Sequence, residues 1–212
     1  SRFLTGSKDN RLALWTVRDE DEEVGCEVLP LPAPVRALPA EHGGIHALRV
    51  SPSGALLAVG SSNPCEVALL RADSWRARAV CVGHMDWVFG ADWVDDETLW
   101  TASRDRTLKV WRVPFNHDYY DEDPQQQQQQ QQHQVLVLTA GATLKHHADR
   151  VRAMRVVHAA RMVASLGSDR RLALWDTCTG ALVRSIATRD REDLIALDAD
   201  PVYGLIAVGG RD

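Results

Sequence analysis

The chain has 212 residues, of which 45% are hydrophobic, and its formal net charge is -5 at pH 7. This hydrophobic content is ample for a buried core. The acidic balance disfavours a general nucleic-acid surface or an anionic-membrane surface, because both require a large excess of Lys and Arg. No apolar run approaches the roughly 20 residues that cross a bilayer, so we expect no membrane partner.

Three segments of the chain share one frame, in which an Asp stands six positions before a Trp. They are residues 7–15, 103–111 and 168–175. A weaker copy ends at Leu70 in place of the Trp, and Pro64 replaces the Asp. A His precedes each of the three later strand ends by 27 or 28 residues. Strand-like alternation and turn-forming residues lie between these landmarks, which indicates a repeat architecture of short strands.

The pattern stops between residues 114 and 138. An acidic stretch from Asn116 to Pro124 is followed there by glutamines from Gln125 to Gln132. Such a segment buries too little apolar surface to order itself. We therefore expect a disordered insertion that leaves one repeat unit and re-enters the next, and we interpret it as a solvated spacer without a function of its own.

The repeats resemble the WD40 family, whose blades each contain four antiparallel strands. The resemblance implies an all-β propeller, and we expect about four to five blades in this fragment of a larger propeller. The expected units are residues 1–34, 35–75, 76–113, 139–180 and 181–212, with the insertion at 114–138. The resemblance also implies a buried network of four side chains, which we interpret as scaffold because buried polar networks specify a core. In the third unit the matching residues are His84, Ser103, Asp105 and Trp111.

Motifs for metal binding or catalysis are weak in this sequence. His42 and His46 have the spacing of a helical zinc pair, but Gly43 and Gly44 between them disfavour a helix. No nucleophile-elbow or phosphate-loop motif is present, so we expect neither an enzyme nor a cofactor. The cysteines contain no C-x-x-C pair, and we expect reduced, mostly buried thiols in a cytoplasmic or nuclear protein. They are Cys26, Cys65, Cys81 and Cys178.

A more specific likeness rests on features that WD40 repeats do not generally share. The Asn63-Pro64 peptide replaces the usual Asp, and residues 80–89 contain a Cys-Val-Gly-His-x-Asp-Trp run. Residues 42–48, 53–60 and 103–105 belong to the same likeness. These stretches resemble factor 12 of the cullin-4-associated substrate receptors. The resemblance implies docking on the damaged-DNA-binding adaptor of a cullin-4 RING ligase. It also implies that targets ending in an acidic dipeptide, typically Glu-Glu, are presented for ubiquitination.

The positions of several Lys and Arg residues indicate, apart from the resemblance, whether an acidic ligand could bind. Lys8, Arg104 and Arg211 each stand one residue before the Asp position of a different blade, in a loop that faces the central channel. Arg150 and Arg152 are two apart at the start of an inner strand, so we expect both on one side. Converging cations would bind carboxylates, and Arg suits this because its planar fork pairs bidentately. The alternative is that these cations only solvate loops, and the resemblance favours binding.

Adaptor docking has a weaker signal. Related receptors often carry a Trp-Asp-x-Arg box at the end of a blade. Here Trp15 and Arg18 keep the Trp and Arg but lack the Asp, and the run at Trp175 keeps the Asp but lacks the Arg. The alternative that docking lies outside this chain therefore stays open, as does a rival function as a structural scaffold in a complex unrelated to ubiquitin.

Overall fold

The computed structural model describes residues 2–9, 11–17, 24–29, 44–114, 135–188 and 194–210. These residues form 18 β-strands and one short 3-10 helix, His158–Ala160. Strands β1 to β7 are Arg2–Gly6, Leu12–Val17, Val24–Leu29, Ile45–Val50, Leu56–Ser61, Val67–Arg71 and Ala77–Cys81. Strands β8 to β12 are Val88–Asp95, Thr98–Ser103, Thr107–Arg112, Leu136–Leu138 and Ala142–Lys145. Strands β13 to β18 are Val151–Val157, Met162–Gly167, Arg171–Asp176, Leu182–Ala187, Leu194–Ala199 and Ile206–Gly210.

The strands assemble into five successive sheets, which are the blades of a propeller. The first blade is β1 to β3, and the second is β4 to β7. The third contains β8, β9, β10 and β12, the fourth β13 to β16, and the fifth β17 and β18. The first strands of neighbouring blades contact each other in the order β1, β4, β8, β13 and β17. The all-β propeller expected from the sequence is thus confirmed, and the described blades form an arc.

The core lies between the blades. Each of four apolar clusters draws its side chains from two neighbouring sheets. Between the second and third blades Leu69 packs with Trp93 and Trp111, and between the third and fourth Trp100 packs with Met154. Every inner blade therefore buries both of its faces, which explains why all six residues of β9 are buried. Burial against both neighbours makes each blade depend on the next for its stability.

The blade boundaries differ from the expected units by one strand. The strand after each Trp position pairs with the strand that carries that position, as β7 does with β6 and β12 with β10. The units at 76–113 and 139–180 thus begin with the outermost strand of the blade before them. Landmark spacing could not show this, because hydrogen-bonded pairing and not sequence period decides which sheet a strand joins.

The insertion also differs from its expected place. Along the chain it falls between β10 and β12, two strands of the third blade, rather than between the last strand of one blade and the first strand of the next. Residues 136–138 were expected to be disordered, yet they form β11, which pairs in parallel with β7 on the outer edge of the second blade. The apolar Leu-Val-Leu run explains this, because it covers an edge that would otherwise be unpaired. Residues 115–134, with the acidic stretch and the Gln run, lie outside the described residues.

The second blade is held by other contacts than its neighbours. Ser61 Oγ donates a hydrogen bond to the Pro64 carbonyl oxygen at 2.7 Å, inside the turn that would carry the Asp. Leu70 is fully buried at the Trp position. The weak repeat is therefore a real blade, in which other contacts replace the usual network.

The four cysteines are free thiols. Only Cys81 is buried, and Cys26 and Cys178 are exposed, so the expectation of mostly buried thiols was wrong.

Candidate functional site at the channel mouth

The scaffold network of the third blade differs by one residue from the expected set. His84 Nδ1 lies 2.8 Å from Asp105 Oδ2, and His84 Nε2 lies 2.7 Å from Thr101 Oγ1. The Trp111 indole N–H donates to the same Thr101 oxygen at 2.9 Å. Thr101 and not Ser103 therefore joins the histidine to the tryptophan. Ser103 Oγ instead donates to the Asp86 carbonyl oxygen at 2.8 Å and accepts the Asp105 N–H at 3.1 Å.

The protonation states in this network follow from burial and hydrogen bonding. Burial lowers the pKa of His84, against the opposing effect of Asp105, so the ring is neutral. Burial would raise the pKa of Asp105, but hydrogen bonds from His84, Thr107 and the Met85 N–H hold that pKa well below its ordinary value. Asp105 is thus an acceptor, and His84 donates to it through Nδ1–H. His84 Nε2 must then accept the hydroxyl proton of Thr101.

The fourth blade has a second complete network that the sequence reasoning did not assign. His147 Nε2 and the Trp175 indole nitrogen both lie 2.8 Å from Ser165 Oγ. His147 Nδ1 lies 3.1 Å from Asp169 Oδ1. The signal was available, because Asp169 and Trp175 repeat the Asp-to-Trp interval of the third blade, and His147 precedes them at a spacing that differs by one residue. In each network the Asp also accepts a backbone N–H from the first residue of the strand that carries the Trp, which fits the expected scaffold role.

Thr101→Val is expected to destabilise the full-length protein by about 2 kcal/mol, because it leaves the buried Trp111 N–H and His84 Nε2 without partners. Thr101→Ser keeps the hydroxyl and should cost much less. Ser103→Ala should cost about 1 kcal/mol, since its partners are more accessible to water. Urea denaturation of the variants measures these differences. A larger loss for Ser103→Ala than for Thr101→Val would contradict the assignment of Thr101.

Four innermost strands, β4, β8, β13 and β17, share an irregularity that shapes the channel. Each has a register shift directly after its first residue. A bulge of this kind breaks strict alternation and redirects a side chain. The residues at the shift line a central cavity of about 430 Å³. They are His46, Phe89, Arg152 and Ile195.

Three aromatic rings meet at the end of the cavity where these strands begin. His46 stacks on Trp87 with ring centroids 5.5 Å apart and planes inclined by 10°. Phe89 lies edge-on to both, 5.5 Å from His46 and 6.0 Å from Trp87. Trp87 keeps 38% of its surface exposed, so the rings form an accessible platform. Trp87 and Phe89 were not expected as site residues, although aligning the four strand starts would have placed Phe89 beside His46.

Cations surround this platform. The Arg104 guanidinium lies 5.1 Å from the Trp87 ring centroid, and the Arg152 guanidinium lies 5.6 Å from that of Phe89. Lys8 lies near His46, with Gly44 between them. A Cβ added to Gly44 would be 3.3 Å from Lys8 Cα and 3.3 Å from His46 Nε2. Three of the five expected cations thus come together with the rings. We call this set the mouth cluster, which consists of Lys8, His46, Trp87, Phe89, Arg104 and Arg152.

One of the two remaining expected cations, Arg150, is placed differently. Arg150 directly precedes β13, and the bulge after Val151 removes the strict alternation that was expected to align Arg150 with Arg152. Its ion partner among the described residues is Asp149, at 3.8 Å. Arg211 lies outside the described residues. The mouth cations also have internal partners: Arg104 Nε is 3.5 Å from Asp86 Oδ2, and Arg152 Nε donates to Ser168 Oγ at 2.9 Å.

The other end of the cavity carries an alternating belt of charges. Each belt residue stands four positions after the first residue of its inner strand. Arg49 Nε lies 3.5 Å from Asp92 Oδ1, and Arg155 Nε lies 3.0 Å from Asp198 Oδ1. Each cation faces an anion from the neighbouring blade, so the belt is locally neutral. The charged belt consists of Arg49, Asp92, Arg155 and Asp198, and the sequence analysis missed it because its members are far apart in the chain.

The expected adaptor-docking pair is only half described. Trp15 lies on β2, where its indole N–H donates to Thr5 Oγ1 at 2.8 Å and its ring stacks on Phe3. Trp111 and Trp175 each donate the same kind of indole hydrogen bond to a hydroxyl in their own blades. The hydrogen bond of Trp15 therefore has a scaffold role. Arg18 lies outside the described residues, so the pair has no described geometry as a docking surface.

A family model supplies the decisive comparison. The model for the DDB1- and CUL4-associated factor 12 beta propeller matches residues 28–191. The chain belongs to this family. The match includes all of the second, third and fourth blades, and with them every residue of the mouth cluster except Lys8. The resemblance drawn from the sequence is therefore confirmed, and the chain is a protein-binding WD40 module of the factor 12 propeller family.

Three other proteins are also similar to this chain. A ribosome biogenesis protein WDR12 homolog from Aedes aegypti is 25% identical over 129 residues, covering 51% of this chain and 28% of that protein. A nuclear distribution protein PAC1 from Lachancea thermotolerans is 31% identical over 100 residues, or 47% of this chain and 20% of that protein. The Cps50 (Swd1) β-propeller domain from Myceliophteria thermophila superposes with a TM-score of 0.73 at 17% identity, covering 99% of this chain and 62% of that one.

Two kinds of feature are absent from the described ranges. No group of three or more His, Cys, Asp or Glu side chains there is suited to hold a metal ion. His46 belongs to strand β4 rather than to a helix, and His42 is outside those ranges. The same ranges contain no helix with the length and apolar character that a bilayer crossing requires.

Proposed function

We propose that this chain is the propeller of a substrate receptor for a cullin-4 RING ubiquitin ligase, and that its mouth cluster binds the acidic C-terminus of target proteins. The observation that carries the proposal is the meeting of Lys8, Arg104 and Arg152 around one aromatic platform. Membership of the factor 12 propeller family supports the ligase role. On this proposal the chain presents targets and has no catalytic step of its own.

The platform suits carboxylate binding because its rings attract cations to the same place. The Arg104 guanidinium lies 5.1 Å from the Trp87 ring centroid, and the Arg152 guanidinium lies 5.6 Å from that of Phe89. The planar fork of a guanidinium can pair bidentately with a carboxylate. A chain ending in Glu-Glu brings three carboxylates close together, and several converging cations are needed to offset their desolvation.

The charged belt indicates which end of the cavity takes the ligand. Arg49 and Arg155 face Asp92 and Asp198, so a carboxylate arriving there meets anions as well as cations. Strand geometry separates the belt from the bulge residues by about 10 Å. We infer that an acidic chain end enters at the mouth cluster and stops before the belt.

Affinity capture of the full-length protein tests the ligase role. We expect the DDB1 adaptor and cullin-4 to be recovered with it, and the yield to survive Arg104→Glu, since that residue lies in the target site. The rival proposal is a scaffold in another multiprotein complex, as the ribosome biogenesis relatives would suggest. Recovery of a different stable assembly without the adaptor would support the rival and overturn the ligase role.

Deletion of residues 119–134 is expected to leave the stability of the full-length protein and its target binding nearly unchanged. The ends of the insertion are held by β10 and β11 at the outer part of the blades, away from the inner strands. Closing a long surface loop also costs little extra free energy as its length changes. Thermal unfolding and peptide titration measure the effect. Lost binding in a folded deletion variant would give the insertion a function.

A further inference from the structure

His46 occupies a central place in the mouth cluster. It lies at the bulge of β4 and lines the cavity, and its ring is stacked on Trp87 and touched edge-on by Phe89. The side chain is only partly buried. Because His is the side chain whose ordinary pKa lies nearest neutral pH, its charge is sensitive to any ion that enters the cavity.

Among the described residues, the charged side chains near His46 include more cations than anions. The loop after β1 brings Lys8 close and carries Asp9, whose own partner is Arg11 at 3.5 Å. Across Trp87 lies Arg104, paired with Asp86. Over Phe89 lies Arg152. Burial and the charge of Lys8 lower the pKa of His46, so its ring is neutral at pH 7 in the free protein.

An acidic ligand would reverse this balance. Carboxylates held by Arg104, Arg152 and Lys8 would lie beside the imidazole and favour its charged form. The stack with Trp87 would also stabilise an imidazolium, because a cation over an indole face is attracted to it. The cluster would thereby gain a further cation only when an anion is present.

We propose that binding of an acidic chain end protonates His46, so that binding takes up a proton from solution and becomes tighter as the pH falls. This inference rests on the proposed acidic-tail function. The sign follows from linkage: a group that holds its proton more tightly in the complex than in the free protein makes the affinity rise on acidification. Glutamate carboxylates stay ionised down to about pH 5, so the ligand itself does not titrate in this range.

The test is isothermal titration calorimetry of the full-length protein with a short peptide ending in Glu-Glu, in phosphate and in bis-tris, at several pH values from 7.5 to 6.0. Buffers with different ionisation enthalpies report the protons taken up. Wild type is expected to take up part of a proton, and its affinity should rise by about three- to tenfold across this range. His46→Phe keeps a stacked ring without a titrating group, and should show no uptake and a nearly flat affinity.

Two variants complete the experiment. His46→Gln provides a second non-titrating side chain should the Phe variant not fold, and His158→Gln removes an exposed histidine at the far end of β13, which should leave the uptake intact. The role of His46 would be overturned if proton uptake persisted in both His46 variants. It would also be overturned if the wild type took up no proton while its binding depended on Arg104. Either result would leave the proposed function standing. A folded wild type that does not bind the peptide at any of these pH values would overturn both.

Discussion

Arg104→Glu in the full-length protein is expected to weaken binding of a peptide ending in Glu-Glu by well over tenfold. Arg104 lies over the Trp87 ring and within 3.5 Å of Asp86. Its reversal removes a charge-assisted pair and places a second carboxylate beside Asp86 where the ligand must approach. Truncating or reversing such a pair costs about 2 to 5 kcal/mol, and about 1.4 kcal/mol corresponds to tenfold in affinity.

Titration of the peptide against both proteins measures this loss. Arg184→Glu on the outer strand β16 is a matched control, because it makes the same charge change on an exposed residue of the blade edge. Amidating the peptide terminus and raising the salt concentration should each weaken binding to wild type. Equal affinities for wild type and a folded Arg104→Glu protein would remove the mouth cluster as the target site.

Gly167→Ala is expected to destabilise the full-length protein by about 2 to 6 kcal/mol. A Cβ at this position would overlap Asp169 Oδ1 and His147 Nδ1, which lie within the hydrogen-bonded network of the fourth blade. Neither side chain can move away without leaving buried polar atoms unpaired. Overpacking costs about 1 to 3 kcal/mol, and an unpaired buried group adds about 1 to 3 kcal/mol.

Gly141→Ala is the matched control for this substitution. The nearest atom to a Cβ there is the Val110 carbonyl oxygen at 3.6 Å, which is an ordinary contact. Urea denaturation of the two variants compares them directly. If Gly167→Ala were as stable as Gly141→Ala, the network of the fourth blade could not be as rigid as its hydrogen bonds indicate.

The sequence predicted which residue types form the buried network, but it did not identify every residue that takes part. His84, Asp105 and Trp111 follow from spacing, because the Asp-to-Trp interval repeats. The choice between Thr101 and Ser103 depends on which hydroxyl comes within reach of both the imidazole and the indole. That distance is set by the register of β9 against β10, and no interval along the chain encodes it.

Periodic landmarks indicated by themselves a repeat architecture of short strands, and the resemblance of these repeats to the WD40 family implied the all-β propeller. They also identified Lys8, Arg104 and Arg152 as cations on loops and inner strands facing the channel. Only the tertiary structure decided which side chains meet. The bulge at the start of β13 breaks the alternation that was expected to align Arg150 with Arg152. The packing of the second blade against the third brings His46 together with Trp87 and Phe89. The charged belt likewise joins residues of four different blades, because contacts between blades depend on how sheets pack and not on distance along the chain.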